Sequence, residues 1–246
     1  MENNDAWMGR TKLLIGENKL EKLKKSHVLV VGLGGVGSYC AEALGRAGIG
    51  SLTIVDGDIV DPSNRNRQLQ ALFTTHGQSK AKLMEDRLRQ INPEIKLQVH
   101  SEFKNPDLVM ELLKHPYDYV VDAIDSISPK LYMIKTAHQL GHKIVSSMGA
   151  GGKMDPTRLK VADISETYQC PLAQQIRKRL KSLGVKKGIK AVFSPEVPVK
   201  ESLMYTDGSN FKKSAYGTIS YLPAVFGMTC ASVAIRDLID WKERFA

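Results

Sequence analysis

The sequence is poor in cysteine. Its three cysteines, Cys40, Cys170 and Cys230, stand far apart and form no Cys-x-x-Cys pair. This spacing excludes a disulfide framework and argues against a four-cysteine zinc site. Cys40 and Cys230 fall in predicted helices as buried side chains, so Cys170 is the one candidate nucleophile in a loop. The scarcity of cysteine fits a reducing compartment, and we expect a cytoplasmic protein.

Long hydrophobic runs are also scarce. The first ten residues contain no apolar signal core. Residues 214–235 carry no charge and are long enough to span a bilayer, but Pro223, Gly217 and Gly227 interrupt them. Because their hydrophobic density is low, we interpret them as a buried core helix starting near Pro223. We therefore expect no membrane partner.

The chain has no internal repeat and no low-complexity tract, and 25% charged with 42% hydrophobic residues is ordinary for a globular protein. Its 246 residues suffice for one large domain. We predict a single domain over 1–246, with a helical lead-in at 1–25 and an elaborated C-terminal part at 153–246. The formal net charge of +9 favours a polyanionic partner, although many basic proteins bind no nucleic acid.

Short apolar runs alternate with helical patterns along the first 150 residues. Strands are predicted at 27–31, 51–55, 96–100, 117–123 and 143–147, and helices at 35–48, 78–90, 107–114 and 130–140. This alternation predicts a Rossmann-like α/β fold, with a mainly parallel sheet covered by helices on both faces. The second half is less regular. Strands are predicted at 159–164 and 191–193, helices at 171–183 and 223–241, and a polar loop at 200–213.

A glycine-rich loop joins the first predicted strand to the first predicted helix. It places Gly32, Gly34, Gly35 and Gly37 in a G-x-G-x-x-G pattern, and Asp56 ends the next strand. Such glycines let a phosphate approach the backbone at a helix N-terminus, and the acidic residue suits ribose hydroxyls. The pattern predicts a nucleotide site. On these residues alone a nicotinamide dehydrogenase is the default, and a tight turn without ligand is the alternative.

A polar cluster after Asp56 favours ATP over NAD. Arg67 can fork onto phosphate oxygens, Lys80 adds a point charge at a helix start, and Asn64 can orient a phosphate or a carboxylate. Asp125 follows the fourth strand, where ligands bind in open α/β sheets, and its oxygens suit Mg²⁺. Hydride transfer needs no such cluster. Each residue taken singly is also compatible with a solvated loop charge.

Five motifs together resemble the ubiquitin-activating-enzyme-like (ThiF-type) adenylyltransferases. They are GLGGVG at 32–37, D-G-D at 56–58, S-N-x-x-R-Q at 63–68, GQSK at 77–80 and DAID at 122–125. The resemblance implies that the glycine loop, Asp56, Asp58 and Gln68 hold ATP. It implies that Asn64, Arg67 and Lys80 hold phosphates and stabilise transition-state charge, and that Asp125 binds Mg²⁺. Arg10 matches an arginine that reaches into the partner subunit's site in this superfamily, which implies a homodimer.

The second half resembles the tRNA threonylcarbamoyladenosine dehydratase subfamily. The similar segments lie at 149–157, 161–164, 170–173 and 192–196. The resemblance implies ATP-dependent cyclisation of the threonylcarbamoyl group on a tRNA adenosine, and a sulfur-relay protein as a further partner. Cys170 departs from the pattern, because an Asp is expected before Pro-Leu-Ala, so a family role of that side chain is in doubt here. The alternative is an enzyme that adenylates the C-terminus of a ubiquitin-like sulfur carrier.

A basic segment follows these motifs. Its cations are Arg177, Lys178, Arg179, Lys181, Lys186, Lys187 and Lys190. With the overall positive charge they favour contacts to an RNA backbone, although a solvated helix face is the usual explanation for such a run. Two other classes stay open, an NAD-dependent oxidoreductase and a catalytically silent nucleotide-binding scaffold.

Overall fold

Two helices precede the first strand. The computed structural model describes residues 6–102, 106–205 and 214–242, and the side chains of 106–108 lie outside the description. Helix α1 (Gly9–Ile15) and helix α2 (Glu17–Lys25) are separated by Gly16, whose φ of 83° ends the first helix. Residues 6–25 are therefore helical apart from Gly16, in the stretch where the sequence predicts a helical lead-in.

A seven-stranded sheet forms the centre of the fold. Its strands are β1 (His27–Val31), β2 (Ser51–Val55), β3 (Lys96–His100), β4 (Tyr119–Asp122), β5 (Ile144–Ser147), β6 (Lys160–Asp163) and β7 (Lys190–Phe193). The spatial order is β3-β2-β1-β4-β5-β7-β6, and only β6 runs antiparallel to its neighbour. The predicted Rossmann-like, mainly parallel sheet is confirmed.

Helices cover both faces of this sheet. They are α3 (Gly37–Arg46), α4 (Lys80–Ile91), α5 (Pro106–Leu112), α6 (Ile127–Gln139), α7 (Pro171–Ser182) and α8 (Tyr221–Leu238). Val28 and Val30 of β1 join the core under α3, α4 and α8, whereas Leu29 and Val31 join the core under α5, α6 and α7. Alternate residues of one buried strand thus serve two apolar layers, which is why the strand reads as a continuous apolar run.

The longest helix packs directly against the helix of the glycine loop. A Cβ at Gly227 of α8 would lie 2.2 Å from the carbonyl oxygen of Val36, so only glycine permits this approach. Pro223 is the third residue of α8, in the first turn, where its missing N–H costs no helix hydrogen bond. None of the helices within 6–102, 106–205 and 214–242 is long and apolar enough to cross a membrane.

Several predicted boundaries need correction. Helix α3 begins at Gly37 rather than at residue 35, because Gly35 and Val36 stay in the loop. Helix α8 begins at Tyr221 and ends at Leu238, three residues before the predicted end.

The polar loop expected over 200–213 is wrong for its first part. Leu203–Tyr205 forms strand β8, which pairs antiparallel with β9 (Ser214–Tyr216) in a separate two-stranded sheet. Residues 206–213 lie outside the described part of the chain.

Candidate nucleotide-binding site

A large cleft opens at the carboxyl ends of the parallel strands. Its volume is about 840 Å³, and its walls come from the loops that follow β1, β2, β4 and β5. Because β1 connects to β2 on one side and lies beside β4 on the other, the cleft sits where the strand order reverses. Open α/β sheets bind their ligands at this switch point.

Steric limits explain the glycines of the first loop. Gly32 has φ 88°, and a Cβ there would lie 2.8 Å from the carbonyl oxygen of Ala123. A Cβ at Gly37 would lie 1.7 Å from the carbonyl oxygen of Gly32, and one at Gly35 would lie 2.9 Å from Cβ of Pro223. At Gly34 the nearest atom is Nε2 of Gln68 at 3.8 Å. Three of the glycines are thus required by packing, whereas Gly34 leaves open space in the cleft.

Asp56 ties the glycine loop to the end of β2. Its Oδ2 accepts a hydrogen bond of 2.6 Å from the backbone N–H of Leu33, and its Oδ1 accepts one of 2.8 Å from Asp58. Burial raises the pKa of Asp56, while the nearby ammonium of Lys80 and the two backbone donors oppose the rise. The carboxylate therefore shapes the loop as well as facing the cleft.

Lys80 begins α4 and points its side chain back to the cleft. Its Nζ donates to Oδ2 of Asp58 over 2.9 Å, and its backbone N–H donates to the carbonyl of Asp58 over 3.1 Å. The lysine is 5% exposed. A buried cation held by one carboxylate is a strong attractor for a second anion, because little water screens it.

Asn64 and Gln68 lie on the turn that follows Asp61, and both line the cleft and are buried. Oδ1 of Asn64 accepts from the backbone N–H of Asp61 over 3.2 Å, which fixes the start of the turn. Oε1 of Gln68 is buried and has no hydrogen-bond partner. An unsatisfied acceptor on the wall of the cleft suits a ligand that brings a donor.

Arg67 and Asp125 face the same cleft from the loops after β2 and β4. Nη1 of Arg67 donates to the carbonyl of Ser63 over 3.0 Å and to Oδ1 of Asn66 over 2.8 Å. Burial lowers the pKa of Arg67, and the charge of Asp125 opposes that shift. Asp125 itself is exposed. Opposite charges across an open cleft suit a phosphate with its counter-ion.

Gly37 is buried in α3 and does not line the cleft. The other predicted nucleotide-site residues all do: Gly32, Gly34, Gly35, Asp56, Asp58, Asn64, Arg67, Gln68, Lys80 and Asp125. Residues that are spread along the first half of the chain thus meet in one cleft, in the order that the sequence motifs predict. The ThiF family matches residues 9–246 of the chain. The chain belongs to this family.

Three relatives that match nearly the whole chain carry the same name. Over an alignment of 261 positions, the chain is 40% identical to the tRNA threonylcarbamoyladenosine dehydratase of Escherichia coli. The alignment covers 98% of this chain and 97% of the relative. It is 39% identical over 237 residues to the Bacillus subtilis protein of the same name, covering 94% and 93%. The crystal structure of the E. coli enzyme in complex with ATP matches with a TM-score of 0.88, covering 98% and 96% at 39% identity.

Arg10 does not lie in this ThiF-family cleft. It is an exposed residue of α1, and it is not among the residues that line the cleft. A role in its own subunit's site is thus unsupported. The predicted role in a partner's site stays a prediction.

Sequence reasoning missed a buried ion pair beneath the cleft. Nζ of Lys130, fully buried on α6, donates to Oδ2 of Asp122 over 2.6 Å, to Oγ of Ser146 over 3.2 Å and to the carbonyl of Ser147 over 2.9 Å. It thereby ties together the ends of β4 and β5. A helical lysine gives no signal of burial in one sequence, so this role could not be predicted.

Sequence reasoning also missed Lys153, which lines the cleft in the loop after β5. Nζ of Lys153 donates to the carbonyls of Gly149 and Ser194 over 2.9 and 2.8 Å. Burial lowers the pKa of Lys153, and Cys170 and Glu196 oppose the shift. Cys170 is 2% exposed and lines the cleft beside this lysine, at the start of α7.

The other two cysteines lie in the core. Burial raises the pKa of Cys40 far above its ordinary value and that of Cys230 to about 12. Neither thiol lines the cleft, and a raised pKa disfavours the reactive thiolate. The expectation that both are inert small side chains agrees with this placement.

The basic helix divides into two groups. The guanidinium of Arg177 donates to the carbonyl oxygen and hydroxyl of Thr167, so its charge is engaged within the fold. The remaining cations of the segment are exposed: Lys178, Arg179, Lys181, Lys186, Lys187 and Lys190. Residues at the start of α7 line the cleft, and Lys178, Arg179 and Lys181 follow on the same helix. Lys190 begins β7 at the other edge of the sheet, where it pairs with Asp237.

Proposed function

We propose that this chain is an ATP-dependent dehydratase that cyclises the threonylcarbamoyl group of threonylcarbamoyladenosine in tRNA. One observation carries the proposal. A near full-length similarity to tRNA threonylcarbamoyladenosine dehydratases coincides with a single cleft that gathers the expected ATP-binding side chains. Relatives of the same name from two distant bacteria, and an ATP complex of one of them, support the substrate and the nucleotide together.

ATP would lie across the glycine loop with its phosphates toward Arg67 and Lys80. Gly34 leaves room for close approach, and the N-terminus of α3 offers backbone N–H groups to a phosphate. The partnerless acceptor of Gln68 would receive a donor from the nucleotide. Asp56 and Asp58 border the same region, where Asp58 already holds Lys80 in place.

Mg²⁺ would be held by Asp125 together with phosphate oxygens. No group of three or more His, Cys, Asp or Glu able to hold a metal occurs within the described residues. One carboxylate, that of Asp125, fits Mg²⁺, which binds one or two carboxylates plus substrate phosphates rather than a full protein cage. The ion would supply charge neutralisation for the departing pyrophosphate.

The chemistry proceeds in two displacements on the substrate. The threonyl carboxylate attacks the α-phosphorus of ATP, and pyrophosphate leaves. The carbamoyl group of the same side chain then attacks the activated acyl carbon and expels AMP, so the net change is loss of water. Arg67, Lys80 and Asn64 would stabilise the charge that develops on the phosphoryl oxygens. No enzyme nucleophile is needed, because the attacking group is tethered to its target.

The tRNA would reach the cleft along α7. The start of α7 lines the cleft, and the exposed cations Lys178, Arg179 and Lys181 follow on the same helix. A cleft of about 840 Å³ also leaves space for an acceptor beside a nucleotide. Activation of a sulfur carrier is the less favoured function, since the near full-length relatives are named for the tRNA reaction.

A homodimer would complete the site with Arg10. Leu13 and Leu14 of the same helix are 88% and 73% exposed, which suits burial against another copy of the chain. We also propose that the chain works as one domain in the cytoplasm, which agrees with its three free cysteines. A sulfur-relay protein stays a proposed partner.

One experiment tests the function directly. Purified protein is incubated with ATP, Mg²⁺ and tRNA carrying threonylcarbamoyladenosine, and the nucleosides are analysed by mass spectrometry. We expect a product lighter by one water, with AMP and pyrophosphate formed in equal amounts. Unchanged nucleoside, with pyrophosphate release only when a sulfur-carrier protein is added, would favour the alternative function.

A further inference from the structure

The side chain of Asn66 joins two walls of the cleft. Its Oδ1 accepts a hydrogen bond of 2.8 Å from Nη1 of Arg67, and its Nδ2 donates one of 2.9 Å to the carbonyl oxygen of Thr218. Both ends of one amide are therefore engaged, the first by the proposed phosphate-binding arginine and the second by the segment after β9. Asn66 does not itself line the cleft.

The segment that Asn66 contacts forms part of the cleft wall. Ser214, Ala215, Tyr216 and Thr218 line the cleft. Backbone hydrogen bonds hold this segment to the loop after β5: the N–H of Gly152 donates to the carbonyl of Gly217 over 2.8 Å. A Cβ at Gly151 would lie 2.9 Å from Cβ of Tyr216, so the two segments are in close contact.

We propose that Asn66 is a positioning residue that couples Arg67 to the segment 214–218. The proposal rests on the function proposed above, which places the ATP phosphates at Arg67, and it adds that the RNA acceptor lies on the side of Thr218. A phosphate that fixes the guanidinium of Arg67 also fixes the amide of Asn66, which then holds the Thr218 carbonyl. Occupancy of either half of the cleft thus favours the arrangement needed in the other.

The geometry supports this role over a purely structural one. Asn66 is exposed, and its two hydrogen bonds lie near the surface, so they contribute little to the stability of the fold. The position is nevertheless restrictive, because an amide is the side chain of this length that offers both an acceptor and a donor. Aspartate would keep the acceptor for Arg67 and lose the donor to Thr218.

Hydrogen exchange with ATP and Mg²⁺ as the probe tests the coupling. The variants are Asn66→Ala and Asn66→Asp, and the matched control is Arg65→Ala, an exposed neighbour whose guanidinium lies over the ring of Phe73 outside the cleft. We expect ATP to slow amide exchange in 32–37 and in 214–218 for the wild type and the control. In both Asn66 variants we expect protection of 32–37 alone.

A double-mutant cycle tests whether Asn66 acts through Arg67. Asn66→Ala should lower kcat on the tRNA substrate about tenfold, with little change in ATP affinity, as expected for loss of an oriented charge contact. In an Arg67→Ala background the same change should have less than about a twofold further effect, because coupled residues are not additive. Arg65→Ala should leave kcat near the wild-type value.

The outcomes separate this inference from the proposed function. Protection of 214–218 that persists in Asn66→Ala, or additive losses in the cycle, would overturn the coupling alone. Wild-type protection of 32–37 without protection of 214–218 would do the same. If ATP protects neither segment, the ATP-dependent function and the coupling both fall.

Discussion

The ammonium of Lys80 lies 2.9 Å from Oδ2 of Asp58, and the two side chains differ greatly in exposure. The lysine side chain is 6% exposed and the aspartate side chain 53%. Because the cation is buried and the anion is not, an incoming phosphate can approach Lys80 while Asp58 turns toward water. The pair therefore keeps Lys80 in position before a nucleotide binds.

Replacement of Lys80 is predicted to remove activity without removing the fold. Lys80→Met keeps the volume of the side chain, and we expect turnover to fall about a hundredfold, as when one charge-stabilising donor is lost. Lys82→Met is the matched control, since Lys82 is exposed on the same helix, pairs with Glu85 and does not line the cleft. Pyrophosphate release with the tRNA substrate measures both, and near-normal turnover of Lys80→Met would mean that phosphates bind elsewhere.

Two glycines of the loop are predicted to respond in opposite ways. Gly37→Ala would place Cβ 1.7 Å from a carbonyl oxygen, so we expect about 3 kcal/mol of destabilisation and a Tm lower by roughly 10 °C. Gly34→Ala meets no atom nearer than 3.8 Å and should keep the wild-type Tm. It should instead weaken ATP binding at least about tenfold, because the methyl group occupies the space where the phosphate approaches.

Thermal unfolding and calorimetry with ATP–Mg²⁺ separate the two effects. Calorimetry with NAD serves as the control ligand. A Gly34→Ala variant that binds ATP normally would show that the nucleotide does not approach this part of the loop. Tight binding of NAD in place of ATP would favour the alternative that the protein is an NAD-dependent dehydrogenase.

Local sequence patterns predicted the half of the site that depends on short segments. The glycine loop and Asp56 directly follow strands, and the turn with Asn64 and Arg67 comes within twelve residues of β2, so their order along the chain fixes their place at one edge of the sheet. The strands themselves were predictable because buried parallel strands are continuous apolar runs.

Contacts between distant segments could not be predicted in this way. Strands β8 and β9 have three residues each, too few for a periodic signal, so the sequence predicts a loop at β8 and no strand at β9. Lys153 and Lys130 are charged residues whose burial depends on carbonyl groups from other elements. The role of Asn66 gives no local sequence signal, because its partner Thr218 lies 152 residues away.

Mixing two inactive variants is predicted to restore activity if Arg10 enters a partner's site. Arg10→Ala and Lys80→Met should each be nearly inactive. After subunit exchange, half of the dimers are mixed and each has one intact site of two, so about a quarter of wild-type activity should return. Sedimentation checks that the protein is a dimer. Full activity of Arg10→Ala alone, or a fully active monomer, would contradict the shared site.

Reversing the charge of α7 is predicted to weaken tRNA binding and leave ATP binding intact. The change is Lys178→Glu, Arg179→Glu and Lys181→Glu, all at exposed positions. Arg177 is left in place because it is hydrogen-bonded to Thr167, and its loss would disturb the fold.

The salt dependence of binding separates phosphate contacts from a solvated face. Each phosphate contact contributes about 0.7 to 0.9 to the slope of log K against log salt, so three lost contacts should flatten that slope by about two to three. The control reverses three exposed lysines, Lys22, Lys25 and Lys96, on α2 and on the edge strand β3 at the far end of the sheet from β7. It changes the net charge equally but should keep the slope. Equal losses in both triple variants would mean that only the overall charge attracts the RNA, and unchanged affinity in the α7 variant would make that helix a solvated face.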